Sequence, residues 1–331
     1  MAPKSPQQTD TQPTTDWLAG LLLKHNPAWL ERYVEYHARL QRLSRQKRRW
    51  ITRKAAVTVA GAALLLALAQ APAAHAANIT VETNIPAING DSLCSLSEAI
   101  INANVTGTYA DCDPGSAGSD TITLSGNTYT FYDYYDLPSI SGNNALPTIT
   151  SPIIIEGNGS ALVRDSGADH FRILNVDSIG DLTLNNVTIS GGYAPDGGGV
   201  YSLGTLTLNQ STVTNNRAKG NGSERGGGIA VRNGTATISG STVSNNYALI
   251  AGGGIYNHGT VVITDSVISG NTAKIGDGAG IYTYSGNTEI RTSSIDNNGS
   301  VGHRGGIFSG GGTLSIYDSA ITRNAGNYGG G

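Results

Sequence analysis

The sequence predicts an all-β protein, a solenoid of short parallel strands wound coil on coil behind a short helical cap. Three observations predict it. A phrase of varying length recurs from Gly180 to the end of the chain. Within each copy, apolar residues fall at fixed offsets with the two-residue period of a strand. Polar residues repeat in register with them, which requires successive copies to lie directly on one another.

Aligned on the glycine before the apolar stretch, copies begin at Gly180, Gly204, Gly234, Gly259, Gly286 and Gly312. Their unequal spacing puts the extra residues at tolerant corners. Two residues on stand Leu182, Leu206, Ala236, Val261, Thr288 and Leu314, and four residues on Leu184, Leu208, Ile238, Ile263, Ile290 and Ile316. Both columns share one strand face, while Thr183, Thr207 and Thr237 between them face outward. Nine residues on, Ile189, Val213, Val243, Ile268, Ile295 and Ile321 need a second strand after a bend. A third strand follows the glycine runs "GGGVY", "GGGIA", "GGGIY", "GAGIY" and "GGIF", whose Val200, Ile229, Ile255, Ile281 and Ile307 make a fourth inward column. Three short strands per coil are therefore expected, with the six copies forming a rod of about 29 Å. A propeller blade needs about 40 residues and four antiparallel strands, and the leucine framework of a leucine-rich repeat is absent.

Two polar columns run beside the apolar ones. Ser211, Ser241, Ser266, Ser293 and Ser319 stand seven residues after the starting glycine. Asn216, Asn246, Asn271, Asn298 and Asn324 stand twelve after it, with Gly192 in the first copy. Asparagine tolerates turns and hydrogen-bonds its copies above and below, so these five are read as a structural ladder and not as ligands. The glycine runs lack the Lys-Ser/Thr and following helix of a phosphate loop. They are expected at a corner, where coils stack without room for a Cβ.

Upstream, "TITLSGNTYTF" (121–131), "LPTITSPIIIEGNG" (146–159) and "FRILNVDS" (171–178) also alternate and read as irregular early coils. "SLCSLSEAIINAN" (92–104) instead has helical spacing, with Leu96, Ile100 and Ala103 on one face. A solenoid end exposes core and unpaired strand and needs a cap. The only two cysteines, Cys94 and Cys112, are expected to form a disulfide pinning this helix, worth about 3 kcal/mol.

The N-terminal quarter differs in charge. Residues 1–54 hold 11 Lys+Arg against 4 Asp+Glu, a balance of +7, and the remainder holds 10 against 20, a balance of −10. "RQKRRWITRK" followed by the apolar run 55–71 and "AAHAAN" reads as an export signal cleaved between Ala76 and Ala77. The alternatives are an uncleaved membrane anchor and, from Arg48-Arg49, a twin-arginine signal. The expected organisation is an extension over 1–44, partly helical or disordered, a signal peptide over 45–76, a cap over 77–119 and a β-helix over 120–331. The chain stops at "GNYGGG" inside a coil, which reads as a fragment or truncated product.

"LCSLSEAIINAN" resembles the CSLREA motif at the start of bacterial secreted β-helix proteins, with Ser97 where that motif has Arg. "SDTITL", "LPTIT" and "IIIEGNG" follow in the order of that family, and the coils resemble those of polymorphic outer-membrane proteins without their FxxN motif. The resemblance covers about Ile79 to Gly331. It implies a single-stranded, right-handed parallel β-helix, pectin-lyase-like in fold, on an exported protein that is secreted or displayed at the cell surface. It also implies a surface anchor or barrel beyond the last coil.

That fold hosts polysaccharide lyases and glycoside hydrolases, which need clustered carboxylates. Asp265 and Asp318 share a column but stand two coils apart with Arg291 near it; Asp277 and Glu224 lie at corners, and Asp296 has no acidic neighbour in its column. No catalytic, cofactor or metal residue is assigned. "DCDPGSAGSD" (111–120) reads as a solvated capping loop, with Ca²⁺ binding the alternative. His258 and His303-Arg304 read as exposed corners. Eight N-x-S/T sequons, Asn104, Asn158, Asn186 and Asn233 among them, follow from an Asn/Thr-rich solenoid. The acidic exported part argues against nucleic acid. The expected function is an adhesin, stalk or binding module for carbohydrate or a cell-surface protein, touching membrane only through the signal segment or a missing C-terminal anchor. A polysaccharide lyase or hydrolase is the alternative, to be revived by carboxylates in missing coils.

Overall fold

The computed structural model describes residues 76–331 apart from 87, 89, 110, 136–141, 221–223 and 302. The expected extension over 1–44 and the signal segment up to residue 75 lie outside the described residues. The described residues form one compact unit.

Its frame is a set of parallel ladders. The longest sheet has nine strands among the described residues, starting Asn78–Thr80, Asp120–Thr123, Pro152–Glu156 and Asp181–Asn185 and ending Thr313–Tyr317. Leu182 pairs Leu206, Ala236 and Val261 in turn, so the columns read from sequence are the register of this sheet. A second sheet of eight strands carries Ile189, Val213, Val243, Ile268 and Ile295. A third, of six, carries Leu174, Val200, Ile229, Ile255, Ile281 and Ile307. These inward residues are buried and belong to one apolar core. The segments 121–131, 146–159 and 171–178 supply strands of the same sheets and are early coils, as expected.

Each regular coil holds four strands, not the three expected. The fourth is two residues long: Tyr193–Ala194, Arg217–Ala218, Tyr247–Ala248, Thr272–Ala273 and Gly299–Ser300. Ala194, Ala218, Ala248 and Ala273 point inward from it and are buried. A two-residue strand has no period to detect, and alanine is a weak apolar marker.

Non-glycine residues turn two of the corners. Asn186, Gln210, Asp265, Thr292 and Asp318, six residues after the starting glycines, have φ between 45° and 52°. Asn215, Asn245, Asn297 and Arg323, eleven after, have φ between 52° and 56°. Asn and Asp accept this left-handed conformation at low cost. The glycine triplet serves a different need. In Gly252–Gly254 only the first has positive φ, at 60°. A Cβ on Gly253 would lie 2.4 Å from the Thr272 carbonyl oxygen, and one on Gly254 would lie 2.9 Å from the Asn271 amide nitrogen. Close approach of coils therefore dictates the second and third glycines. Ala279 stands in the second position of its run, where the next coil carries Gly299 in the column of Thr272.

The cap contains helix α1, Leu96–Val105. Ser95 and Glu98 form a reciprocal capping box, Glu98 N donating to Ser95 Oγ and Ser95 N to Glu98 Oε2. Leu96, Ile100 and Ala103 are buried in the core, and α1 packs on Asp120–Thr123 and Pro152–Glu156. Cys94 and Cys112 form the expected disulfide. Asn102 donates to the carbonyls of Cys112 and Asp113. Asn104, a sequon residue, donates to Thr148 O and accepts from Thr150 N and Ser151 Oγ. Ser97 Oγ donates to Pro86 O. The polar residues of the 92–104 stretch thus fasten the cap to itself and to the first coils.

Candidate functional site

The five asparagines are saturated by one another. Asn216, Asn246, Asn271 and Asn298 each donate Nδ2 to Oδ1 of the next asparagine, at 3.1, 3.0, 2.9 and 2.9 Å. Each of these four backbone N–H groups donates to the same oxygen. The second Nδ2 hydrogen returns to the carbonyl of Ile189, Val213, Val243 or Ile268 in the preceding coil, and Asn324 does the same with Ile295. The serine column repeats the device: the N–H of Ser211, Ser241, Ser266 and Ser293 donates to the next serine Oγ. With their hydrogen-bonding groups engaged and the first four asparagines buried, this ladder holds the coils in register and offers nothing to a ligand.

The carboxylates are dispersed in the same way. Asp265 accepts from Thr292 Oγ1 at 2.6 Å. Asp296 pairs with Arg323, which holds its carboxyl below the usual carboxylate range. Asp277 binds Arg304 at 3.1 Å and lies 3.7 Å from His303, so the exposed His303-Arg304 corner also carries an ion pair. Glu224 accepts from Gly220 N. In the stretch expected to be a solvated loop, Asp111 accepts from Ser92 N, but Asp120 is buried at the head of the Asp120–Thr123 strand, where it accepts from Ala77 N and Ser116. Among the described residues no group of three His, Cys, Asp or Glu could hold a metal ion.

Arginine–aromatic stacks run along two outer faces. His170 stacks on Tyr193 at 3.6 Å, and Arg217 lies between Tyr193 and Tyr247 at 6.0 and 4.5 Å. On the outer face of the six-stranded sheet, Tyr256 stacks on Tyr282 at 5.7 Å and Tyr282 tilts against Phe308 at 5.2 Å. Ala230 leaves a gap in that file. Arg225 and Arg232 lie over Tyr256, and Arg232 pairs with Asp196. Tyr256 is only 1% exposed, and burial raises its phenol pKa. The buried Arg172 guanidinium is lowered to about 10, chiefly by desolvation, and it bonds Asn144 Oδ1 and the carbonyls of Gly197 and Asp196. Stacked ring faces are used up by their neighbours in adjacent coils, so these files stiffen the surface.

One cluster of aromatic residues lies outside these files. "FYDYYD" (131–136) follows an early strand, where Tyr129 and Phe131 point inward and are buried. The strand then leaves the ladder. Tyr132 and Tyr135 are 71% and 42% exposed, while Tyr134 tilts against Phe171 at 6.4 Å. With residues 84–86, Ile88, Ser97, Thr128, Thr130 and Ala145 they line a cleft of about 540 Å³. The size lies within the ~300–1,000 Å³ of small-molecule sites. Apart from the tyrosine phenols, Asp133 is the one ionisable residue among the described residues of the lining, and no described lysine or arginine lines it. Reading by periodicity ends at Phe131 and passes over the cleft; the signal available was four aromatic residues within five positions.

No family model matches the chain, and comparison with curated proteins and with solved structures finds no match.

Proposed function

We propose that this chain is an exported, surface-displayed β-helix of the CSLREA type that binds carbohydrate through the tyrosine-lined cleft, with the regular coils as a stiff stalk. The observation that carries the reading is the cleft itself: exposed Tyr132 and Tyr135 beside Asp133, Thr128 and Thr130. A sugar ring offers C–H faces to phenol rings and hydroxyls to carboxylate and threonine, and this lining supplies both kinds of partner. The Asp133 carboxylate in the lining favours uncharged sugars over uronic acids, whose carboxylates it would repel.

The test is equilibrium binding of neutral and acidic oligosaccharides, followed by ligand-detected NMR. Binding of a neutral sugar is expected, weakened about tenfold by Tyr132→Ala (~1.4 kcal/mol) with the melting curve unchanged. A panel without any binder overturns the reading. Release of unsaturated products or reducing ends would replace it with the lyase or hydrolase reading.

A further inference from the structure

Asp120 is out of character for its place. It occupies an inward position of the nine-stranded sheet, in register with Ile153 and, one strand further, Leu182. Every other coil fills this column with an uncharged residue. The Asp120 side chain is nonetheless fully buried. Its carboxylate accepts from Ser116 N, Ser116 Oγ and the Ala77 nitrogen, the last at 2.9 Å, and no Lys, Arg or His pairs with it among the described residues. A buried carboxylate without a cation is costly.

The residue it grips is also where the chain changes character. Ala76 is exposed, whereas Ala77 packs against the core and its carbonyl accepts from Thr121 N at 2.8 Å. The A-x-A pattern of residues 74–76 independently puts the expected cut at the same bond.

We propose that an export-linked endopeptidase hydrolyses the Ala76–Ala77 bond and that the new α-ammonium of Ala77 forms a buried ion pair with Asp120. Water adds across the amide: Ala76 leaves as a carboxylate, and the Ala77 nitrogen takes up protons to become the missing cation. Ser116 Oγ, 3.2 Å away, accepts a second ammonium hydrogen. Cleavage thereby locks the first strand, Asn78–Thr80, onto the sheet it begins. The inference shares with the carbohydrate reading only the expectation of export and stands whether or not the cleft binds sugar.

The full chain, produced in an export-competent bacterium, tests it. Intact mass and N-terminal sequencing should place the first residue at Ala77; any other N-terminus overturns the proposal. Hydrogen exchange at Ile79 and Val81 then compares the cut protein with the uncut one, obtained as Ala76→Leu. Asp120→Asn should speed exchange about tenfold or more in the cut chain and under about threefold in the uncut chain, since only the former loses an ion pair. Equal losses would make Asp120 a hydrogen-bond acceptor alone and overturn the pairing. If Asp120→Asn is not recovered folded, the wild-type protein decides. Acetic anhydride near neutral pH should modify exposed Lys219 and Lys274 before the Ala77 amine. Preferential labelling of the α-amine would overturn the proposal.

Discussion

The coils from Gly180 onward and the cap with its first coils share the same parallel ladders but use their side chains in opposite ways. In the regular coils, Asn246 bonds Asn271, Ser241 bonds Ser266 and Tyr256 stacks on Tyr282. Each residue type answers its own kind or a near relative one coil away, and little is left over. At the N-terminal end the contacts are one of a kind: a disulfide, a capped helix, Asn104 clamping Thr148–Ser151, Asp120 holding Ala77. That irregularity leaves a cleft between residues 84–86 with Ile88 and the tyrosines. Repetition satisfies each side chain from the next coil, and departure from it opens a cleft.

The contrast can be broken from either side. The largest effect is expected from Gly253→Val, whose Cβ meets the Thr272 backbone at 2.4 Å; it should cost ~3 kcal/mol or more, read as a lower melting temperature by circular dichroism. Replacing Cys94 and Cys112 by serine should cost about 3 kcal/mol. Because a solenoid's stability is a sum over neighbours, that loss should appear as early hydrogen exchange in residues 94–131 while the later coils stay protected. Asn246→Ala removes the acceptor of Asn216 N and Nδ2 and the donor to Val213 O, for about 2 kcal/mol, with exchange rising in the coils on both sides.

A smaller effect should appear at alkaline pH. Burial raises the Tyr256 phenol pKa, so its folded pKa lies above the unfolded value near 10. The native state then keeps a proton that the unfolded state releases. Stability from this source is complete below pH ~10 and falls as pH rises above it. Tyr256→Phe should flatten the fall between pH 9 and 11 in a denaturant titration. The smallest effect is expected at His258, a half-exposed corner residue edge-on to Tyr284, where alanine should change stability by no more than ~0.5 kcal/mol.

Which parts were legible follows from the same contrast. Leu182, Leu206, Val261 and their columns can be read because a repeated apolar residue must face the same core in every coil. The Asn column can be read because a ladder requires identity in register. Tyr132 and Tyr135 cannot be found that way, since they occur once and belong to no column. Arg217, Arg225 and Arg232 reach their tyrosines from positions that do not correspond between coils. Asp120 carried a weaker signal still, a charged residue heading an otherwise uncharged strand, and its meaning needed the distance to Ala77.

The asparagine ladder has a polarity. Each side-chain oxygen faces the coil made before it, taking the N–H and Nδ2 hydrogens left waiting there. A finished coil is therefore a primed template, and the next one completes it as a tooth closes a zipper. For a chain threading out of a pore with its N-terminus first, each coil that emerges would find its bonding partners already in place, so assembly and emergence would run in the same direction.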